Sequence, residues 1–141
     1  MAKEIRTETM IRATPEKVWA ILNDFENYPR WNPFITSLKG HVEPGNKIEI
    51  RIEPPNGKGM TFRPTILTKI KNKELSWLGK VLWGGLFDGE HKFELIENGN
   101  GTTTFIQSEK FRGIFVWLFR PEKTQEGFIA MNKKLKELSE Q

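Results

Sequence analysis

Cysteine is absent from the 141-residue sequence, which excludes disulfide bonds and thiolate metal sites. Histidine is scarce: His41 and His91 lie in different predicted strands, so neither thiol catalysis nor a multi-histidine metal site is expected. The longest apolar run, residues 114–119, is too short to span a bilayer. The N-terminal residues are charged throughout and lack the apolar core of a signal peptide. We therefore expect a cytoplasmic protein without a cofactor, a metal ion or an integral membrane segment.

Charge of one sign does not dominate. The 22 basic and 18 acidic residues leave a net charge of +4, which favours solubility but does not indicate a nucleic-acid partner. Aromatic residues, by contrast, are plentiful, with ten Phe and five Trp. The length predicts one domain, residues 1–141, that buries about two-thirds of its unfolded surface. In a domain of this size, so many large flat side chains either fill a thick core or line a cavity.

Hydrophobic periodicity predicts the order strand, two short helices, six strands and one long helix. The first strand is residues 3–12, and the first helix begins with Thr14 as N-cap and Pro15 in its first turn. A short second helix follows within residues 24–33. Strands are then predicted over residues 34–42, 47–53, 60–71 and 74–83 and over both limbs of a hairpin. Pro64 inside the strand 60–71 indicates an edge position or a bulge.

The long helix, residues 121–140, carries a stripe of side chains at spacings of three and four, all of them apolar except Thr124. They are Thr124, Phe128, Met131, Leu135 and Leu138. Gly127 within this helix costs up to about 1 kcal/mol relative to alanine. A close approach to the sheet, or to something bound above it, would explain that cost.

The hairpin, residues 88–113, decides which polar side chains meet. A three-residue loop at residues 99–101 pairs His91 with Glu109 and places the large apolar residues on one face. A four-residue loop would instead bring His91 opposite Ser108 and turn Glu109 away. We prefer the three-residue loop because of the apolar face it creates.

That apolar face carries three polar side chains: His91, Gln107 and Glu109. One interpretation is an imidazole, oriented by a carboxylate, that binds a ligand carbonyl or hydroxyl or moves a proton. The alternative is a buried polar pair that satisfies itself, with Gln107 as a hydrogen-bonding core residue.

The element order belongs to the α+β class, in which a helix covers one face of an antiparallel sheet. We predict seven strands in one sheet that curves around the C-terminal helix and leaves an interior volume, which is the default ligand site.

Four motifs in this order resemble the START/Bet v 1-like superfamily. They are TPEKVW at residues 14–19, DFENYPRWNPF at 24–34, HKFEL at 91–95 followed by GTT at 101–103, and EKFRG at 109–113. The chain is most similar to the bacterial polyketide cyclase/dehydrase-like (SRPBCC) branch, over essentially its whole length. This resemblance implies a helix-grip fold with a deep apolar cavity between the sheet and the C-terminal helix.

The expected function is binding or carriage of a small hydrophobic molecule, aromatic or lipid-like, in that cavity. Aromatic residues including Trp83 are candidates for its walls. The predicted ligand-binding residues are Trp31, Phe34, Ile50, Phe62, Trp77, His91, Phe93, Gln107, Glu109, Phe128 and Met131.

Two other functions stay open. The first is a cofactor-free cyclase or dehydratase that uses His91 and Glu109 as catalytic residues. The second is a co-chaperone-like interaction module with a filled interior and an exposed apolar patch at residues 114–119. For that segment, however, packing on the C-terminal helix is the preferred interpretation. The expected state is a monomer or a weak homodimer.

Overall fold

The structure, a computed structural model, describes residues 2–81, 87–116 and 119–141. The end of the predicted strand 74–83, with Trp83, lies outside the described residues. The elements are β1 (Ala2–Ile11), α1 (Pro15–Leu22), a 3-10 turn (Phe25–Asn27), α2 (Tyr28–Trp31), β2 (Ile35–Lys39), β3 (Glu49–Ile52), β4 (Met60–Phe62), β5 (Thr65–Ile70), β6 (Glu74–Val81), β7 (Phe87–Glu97), β8 (Thr103–Arg112) and α3 (Glu122–Ser139). The predicted α+β class is confirmed, with short helices after the first strand and a long C-terminal helix, but seven described strands rather than six lie between them.

The described strands form two antiparallel sheets rather than one sheet of seven strands. Five strands follow the order β1-β8-β7-β6-β5, and three follow the order β2-β3-β4. The prediction of one strand over residues 60–71 is wrong because Pro64, which has no N–H to donate, separates β4 from β5. At this break the chain bonds to the segment before β3: the Ile48 N–H donates to the Pro64 carbonyl at 3.0 Å, and the Ile66 N–H donates to the Asn46 carbonyl at 2.9 Å. The curvature predicted for a single sheet stays a prediction.

The hairpin of β7 and β8 has the predicted three-residue loop. The Asn98 N–H donates to the Thr102 carbonyl at 3.1 Å, and Gly101 has a φ of 83°, a left-handed conformation that glycine adopts without strain. His91 therefore lies opposite Glu109, as predicted.

Both helical predictions at the start of the chain are confirmed. The Thr14 side chain accepts from the Lys17 N–H at 3.4 Å and caps α1. The short turn after α1 is fixed by Tyr28, which is fully buried and donates from its hydroxyl to the Leu22 carbonyl. Burial raises the pKa of Tyr28 far above its usual value, and the nearby Asp24 carboxylate adds a smaller rise.

Helix α3 approaches the rest of the molecule closely at Gly127. A Cβ atom at this position would overlap the ring of Phe34, which packs edge-on against Phe128 with ring centroids 5.6 Å apart. The glycine thus makes room for an aromatic ring, and this close approach offsets its low helix propensity. Further along the same helix, Met131 and Leu135 are fully buried in the core. No helix within the described ranges has the length and apolar character needed to cross a membrane.

Candidate functional site

A cavity of about 110 Å³ lies among β2, β3, β4, β6, β7, β8, the segment after β8 and the first turn of α3. Its described walls are apolar apart from Glu109, His91 and Thr124, and they include no lysine or arginine. The lining residues are Phe34, Ile35, Ile52, Met60, Phe62, Trp77, Gly79, Phe87, Gly89, His91, Glu109, Phe111, Phe119 and Thr124.

The structure brings five of the eleven predicted ligand-binding residues to this cavity. They are Phe34, Phe62, Trp77, His91 and Glu109. The other six do not line it, and each is packed elsewhere. Ile50, Phe93, Gln107, Phe128 and Met131 are fully buried in the interior, whereas Trp31 is half-buried and packs edge-on against Tyr28 at 5.3 Å.

Several lining residues were missed by the sequence reasoning, although a signal for three of them is present. Strand alternation places Phe87 and Gly89 on the face of His91, and Phe111 on the face of Glu109. Phe119 had been assigned to a segment that packs on the C-terminal helix. Extending the alternation to both ends of the hairpin would have found the first three residues.

The segment at residues 114–119 has two described side chains with large exposure, Ile114 at 61% and Phe115 at 38%. Val116 is fully buried, and Phe119 packs on Phe111 with ring centroids 4.3 Å apart. Residues 117 and 118 lie outside the described part of the chain. The described part of this segment is therefore divided between the surface and the cavity wall.

The polar centre of the cavity is the pair formed by His91 and Glu109. His91 Nδ1 lies 3.1 Å from Glu109 Oε1, and the histidine is 3% exposed while the glutamate side chain is 18% exposed. A carboxylate only accepts hydrogen bonds, so Nδ1 carries the proton and donates it. In the neutral ring Nε2 is then an acceptor, and it is buried with no hydrogen-bond partner among the described residues.

Aromatic rings hold the imidazole in place. Trp77, directly opposite on β6, stacks on His91 with ring centroids 4.8 Å apart and an interplanar angle of 11°. The rings of Phe93 and Phe128 meet the imidazole edge-on at 4.8 and 5.1 Å. This packing fixes the ring orientation that the bond to Glu109 requires.

Gln107 has a different environment from the other two polar residues of its face. Its Nε2 donates to Asn132 Oδ1 at 2.7 Å, and Asn132 Nδ2 donates to Thr7 Oγ1 at 2.8 Å. The Thr7 hydroxyl donates in turn to the Gln107 carbonyl at 3.0 Å, which closes a ring of hydrogen bonds between α3, β1 and β8. This geometry fits the interpretation of Gln107 as a hydrogen-bonding core residue.

Chemically, the cavity combines aromatic walls with one carboxylate-oriented imidazole. Such a site holds an apolar molecule, accepts a hydrogen bond from it, or takes up a proton from it. The described residues contain no group of three or more His, Asp or Glu side chains placed to hold a metal ion.

Solved structures with this fold include protein CV1439 from Chromobacterium violaceum, at 19% identity and a TM-score of 0.75 over 98% of this chain and 97% of that one. A START superfamily protein from Mycobacterium smegmatis matches at 19% identity and a TM-score of 0.68, over 96% and 98%. Norcoclaurine synthase from Thalictrum flavum, solved in complex with dopamine and hydroxybenzaldehyde, matches at 13% identity and a TM-score of 0.74, over 98% and 86%. At these identities the likeness concerns the fold alone.

No curated protein matches the sequence significantly. A family model described as "Polyketide cyclase / dehydrase and lipid transport" matches residues 2–140, which is almost the whole chain. This match confirms the polyketide cyclase/dehydrase-like resemblance seen in the sequence motifs. The chain therefore belongs to the polyketide cyclase/dehydrase and lipid transport family.

Proposed function

We propose that the protein binds a small hydrophobic molecule in the cavity that contains His91 and Glu109. The observation that carries this proposal is an apolar, aromatic-lined volume whose wall contains one ordered polar pair. Protein interiors have few voids larger than a water molecule, so a cavity of this kind indicates a binding role.

The size of the cavity limits the ligand. Its volume of about 110 Å³ is of the same order as the ~150 Å³ engineered cavity that binds benzene. It is below the ~300–1,000 Å³ typical of sites that enclose drug-sized molecules. We therefore infer a ligand of one aromatic ring, or one end of a longer molecule. Burial of its apolar surface supplies about 25 cal/mol per Å².

The comparisons support a ligand with one ring. The Thalictrum flavum norcoclaurine synthase, which shares this fold, was solved with dopamine and hydroxybenzaldehyde, and both of these molecules contain one aromatic ring. The family description also names lipid transport, so an aliphatic chain is the other ligand class to test.

Native mass spectrometry of the freshly purified protein, followed by NMR titration with toluene and with decane, tests this proposal. We expect slow or intermediate exchange of resonances from Trp77 and Phe62, which line the cavity. Gly79→Val fills part of the same volume and should weaken binding at least about tenfold, whereas Leu67→Ala alters an exposed residue and should not. A protein that is always empty and binds neither probe would rule the proposal out.

The second candidate is a cyclase or dehydratase, which the hydrogen bond between His91 and Glu109 favours. In this function His91 Nε2 takes a proton from the substrate while Glu109 stabilises the charged ring. Turnover of a candidate substrate should then follow a bell-shaped pH profile that His91→Ala abolishes. Binding without turnover would leave the carrier function. The cytoplasmic location, the single domain and the oligomeric state stay predictions.

A further inference from the structure

The second carboxylate oxygen of Glu109 has a distinctive position. Oε1 accepts from His91, but no residue in the described ranges donates to Oε2. Oε2 lies directly over Gly89 on the neighbouring strand: a Cβ atom at residue 89 would overlap Oε2 and would lie 3.4 Å from Glu109 Cδ. Both residues line the cavity, so the absence of a side chain at Gly89 creates the space that this oxygen occupies.

The neighbouring strand repeats this feature. Gly79 on β6 lies opposite Gly89 on β7, and a Cβ atom there would lie 3.2 Å from the ring of Phe62. The two glycines open a notch in the sheet beside the stacked rings of Trp77 and His91. The notch is thus bounded by flat aromatic surfaces and by one carboxylate oxygen to which no described residue donates.

The hydrogen-bond acceptors of this cavity are not balanced by a lysine or arginine in the described wall. Glu109 Oε2 accepts only, and in the neutral ring His91 Nε2 accepts as well. The described side-chain donors left on the wall are both neutral: the Thr124 hydroxyl and the Trp77 indole N–H. A ligand carboxylate would meet the Glu109 charge without a balancing cation, which costs free energy in an apolar surrounding.

We infer that the cavity selects a single-ring molecule carrying an O–H or N–H donor that binds Glu109 Oε2, and that it rejects carboxylates. This inference rests on the proposed function and adds the polar chemistry of the ligand. It also distinguishes small aromatic ligands from fatty acids, which the lipid transport in the family description could include. Fatty acids carry a carboxylate, the group that the cavity rejects.

Matched one-ring probes test the inference: toluene with no polar group, phenol and aniline with a donor, benzaldehyde with an acceptor, and benzoate with a charge. In an apolar cavity without a free acceptor, toluene binds more tightly than phenol because an unpaired buried hydroxyl is costly. With Oε2 free, NMR titration should show phenol or aniline binding about five- to tenfold more tightly than toluene, since hydrogen bonds to charged groups are the strong ones. Benzaldehyde should bind no more tightly than toluene, and benzoate should not bind.

Two pairs of variants locate the effect. Glu109→Gln should abolish the preference for phenol over toluene, while Glu90→Gln, on the opposite face of the sheet, should keep it. Gly89→Ala should displace the carboxylate and reduce the preference, whereas Gly79→Ala should weaken toluene and phenol alike and keep their ratio. Thermal unfolding of each variant checks that it is folded.

The wild-type protein alone already decides the inference. Toluene binding as tightly as phenol and aniline, or benzoate binding as tightly as either, would overturn it while leaving the proposed function intact. If none of the five probes binds and decane does not bind, both the inference and the proposed function fail.

Discussion

Two polar clusters lie side by side on the β7–β8 hairpin, and their roles differ. His91 and Glu109 form one, and Gln107, two residues away on the same face of β8, belongs to the other with Asn132 and Thr7. The second cluster is tied into three elements by hydrogen bonds. The first has no described hydrogen-bond partner for Glu109 Oε2 or His91 Nε2, whereas the second leaves Gln107 Oε1 without one.

The difference originates on α3. Phe128 and Asn132 are one helical turn apart and so project from the same side of the helix. Asn132 reaches Gln107 with an amide, whereas Phe128 meets His91 with a ring edge. The helix therefore gives the Gln107 amide N–H a hydrogen-bond partner, whereas it covers His91 with a ring that offers none. Neighbouring groups on a sheet acquire different roles through what covers them.

The largest expected effect comes from breaking the cluster of Gln107, Asn132 and Thr7. Asn132→Leu keeps the side-chain volume but leaves the buried Gln107 amide and the Thr7 hydroxyl without this partner. Leaving the buried Gln107 amide N–H unpaired costs about 1–3 kcal/mol, so urea denaturation should show a loss of about 1–3 kcal/mol in the free energy of unfolding. Lys133→Leu, at an exposed neighbouring position, should change it by less than about 0.5 kcal/mol.

A double variant sharpens this result. Replacing both partners by apolar groups removes the orphan, so Asn132→Leu with Gln107→Leu should recover part of the stability lost in the single variant. Additive losses in the two single variants would contradict the comparison, because they would mean that the two amides do not act as a unit.

The sequence predicts the first cluster better than the second. Strand alternation and the glycine turn are local signals, and together they placed His91 opposite Glu109. The link to Asn132 depends on how α3 is seated on β1 and β8. Periodicity along the helix does not specify that seating. Only the tertiary structure brings residues 7, 107 and 132 together.

The division of the strands at Pro64 and the role of Gly89 were missed for different reasons. Pro64 was recognised as a disturbance, but its effect on sheet membership depends on where β3 and β6 lie. Gly89 was overlooked because its significance comes from a missing side chain beside another residue's carboxylate. Five of the six predicted ligand residues outside the cavity are packed in the core, because a shared apolar face does not distinguish a cavity wall from packed core. The sixth, Trp31, is predicted from its position beside the short second helix, and it packs on Tyr28 instead.

Gly127→Ala should have the next largest effect, because it disturbs the seating of α3 that separates the clusters. Alanine gains up to about 1 kcal/mol in helix propensity but must displace the Phe34 ring, and overpacking typically costs about 1–3 kcal/mol. We expect a net loss of about 1–2 kcal/mol and weaker binding of toluene, since Phe34 lines the cavity. Glu126→Ala, exposed one residue earlier, serves as the control. A stabilised Gly127→Ala variant would show that the contact is loose.

Glu109→Gln should have a smaller effect on stability than Asn132→Leu. A glutamine side chain still accepts a hydrogen bond from His91 Nδ1. A hydrogen bond to a charged group contributes about 1.5–3 kcal/mol to stability, and a bond to a neutral amide keeps part of that contribution. We expect a loss of about 1 kcal/mol in urea denaturation together with the altered ligand preference. A loss as large as that of Asn132→Leu would assign the pair a mainly structural role and break the comparison.

The smallest expected effect concerns a polar contact at the surface, which shows what the same chemistry does outside the core. Glu140 accepts from the Arg12 N–H at 2.8 Å and from Lys136 Nζ at 2.6 Å, and these bonds, led by that of Arg12, lower the pKa of Glu140 below its usual value of 4.5. A carboxyl whose pKa is lower in the folded state stabilises the protein above its unfolded pKa. That contribution disappears as the pH falls through the lowered pKa.

Thermal unfolding should therefore show a lower midpoint for Glu140→Gln than for the wild type at pH 7, with the difference shrinking toward pH 3. Glu137→Gln, whose partner Lys134 lies 3.5 Å away in an exposed pair, should shift the midpoint less at pH 7. A difference for Glu140→Gln that stays constant with pH would indicate that lost packing, rather than the carboxylate charge, links the two ends of the chain.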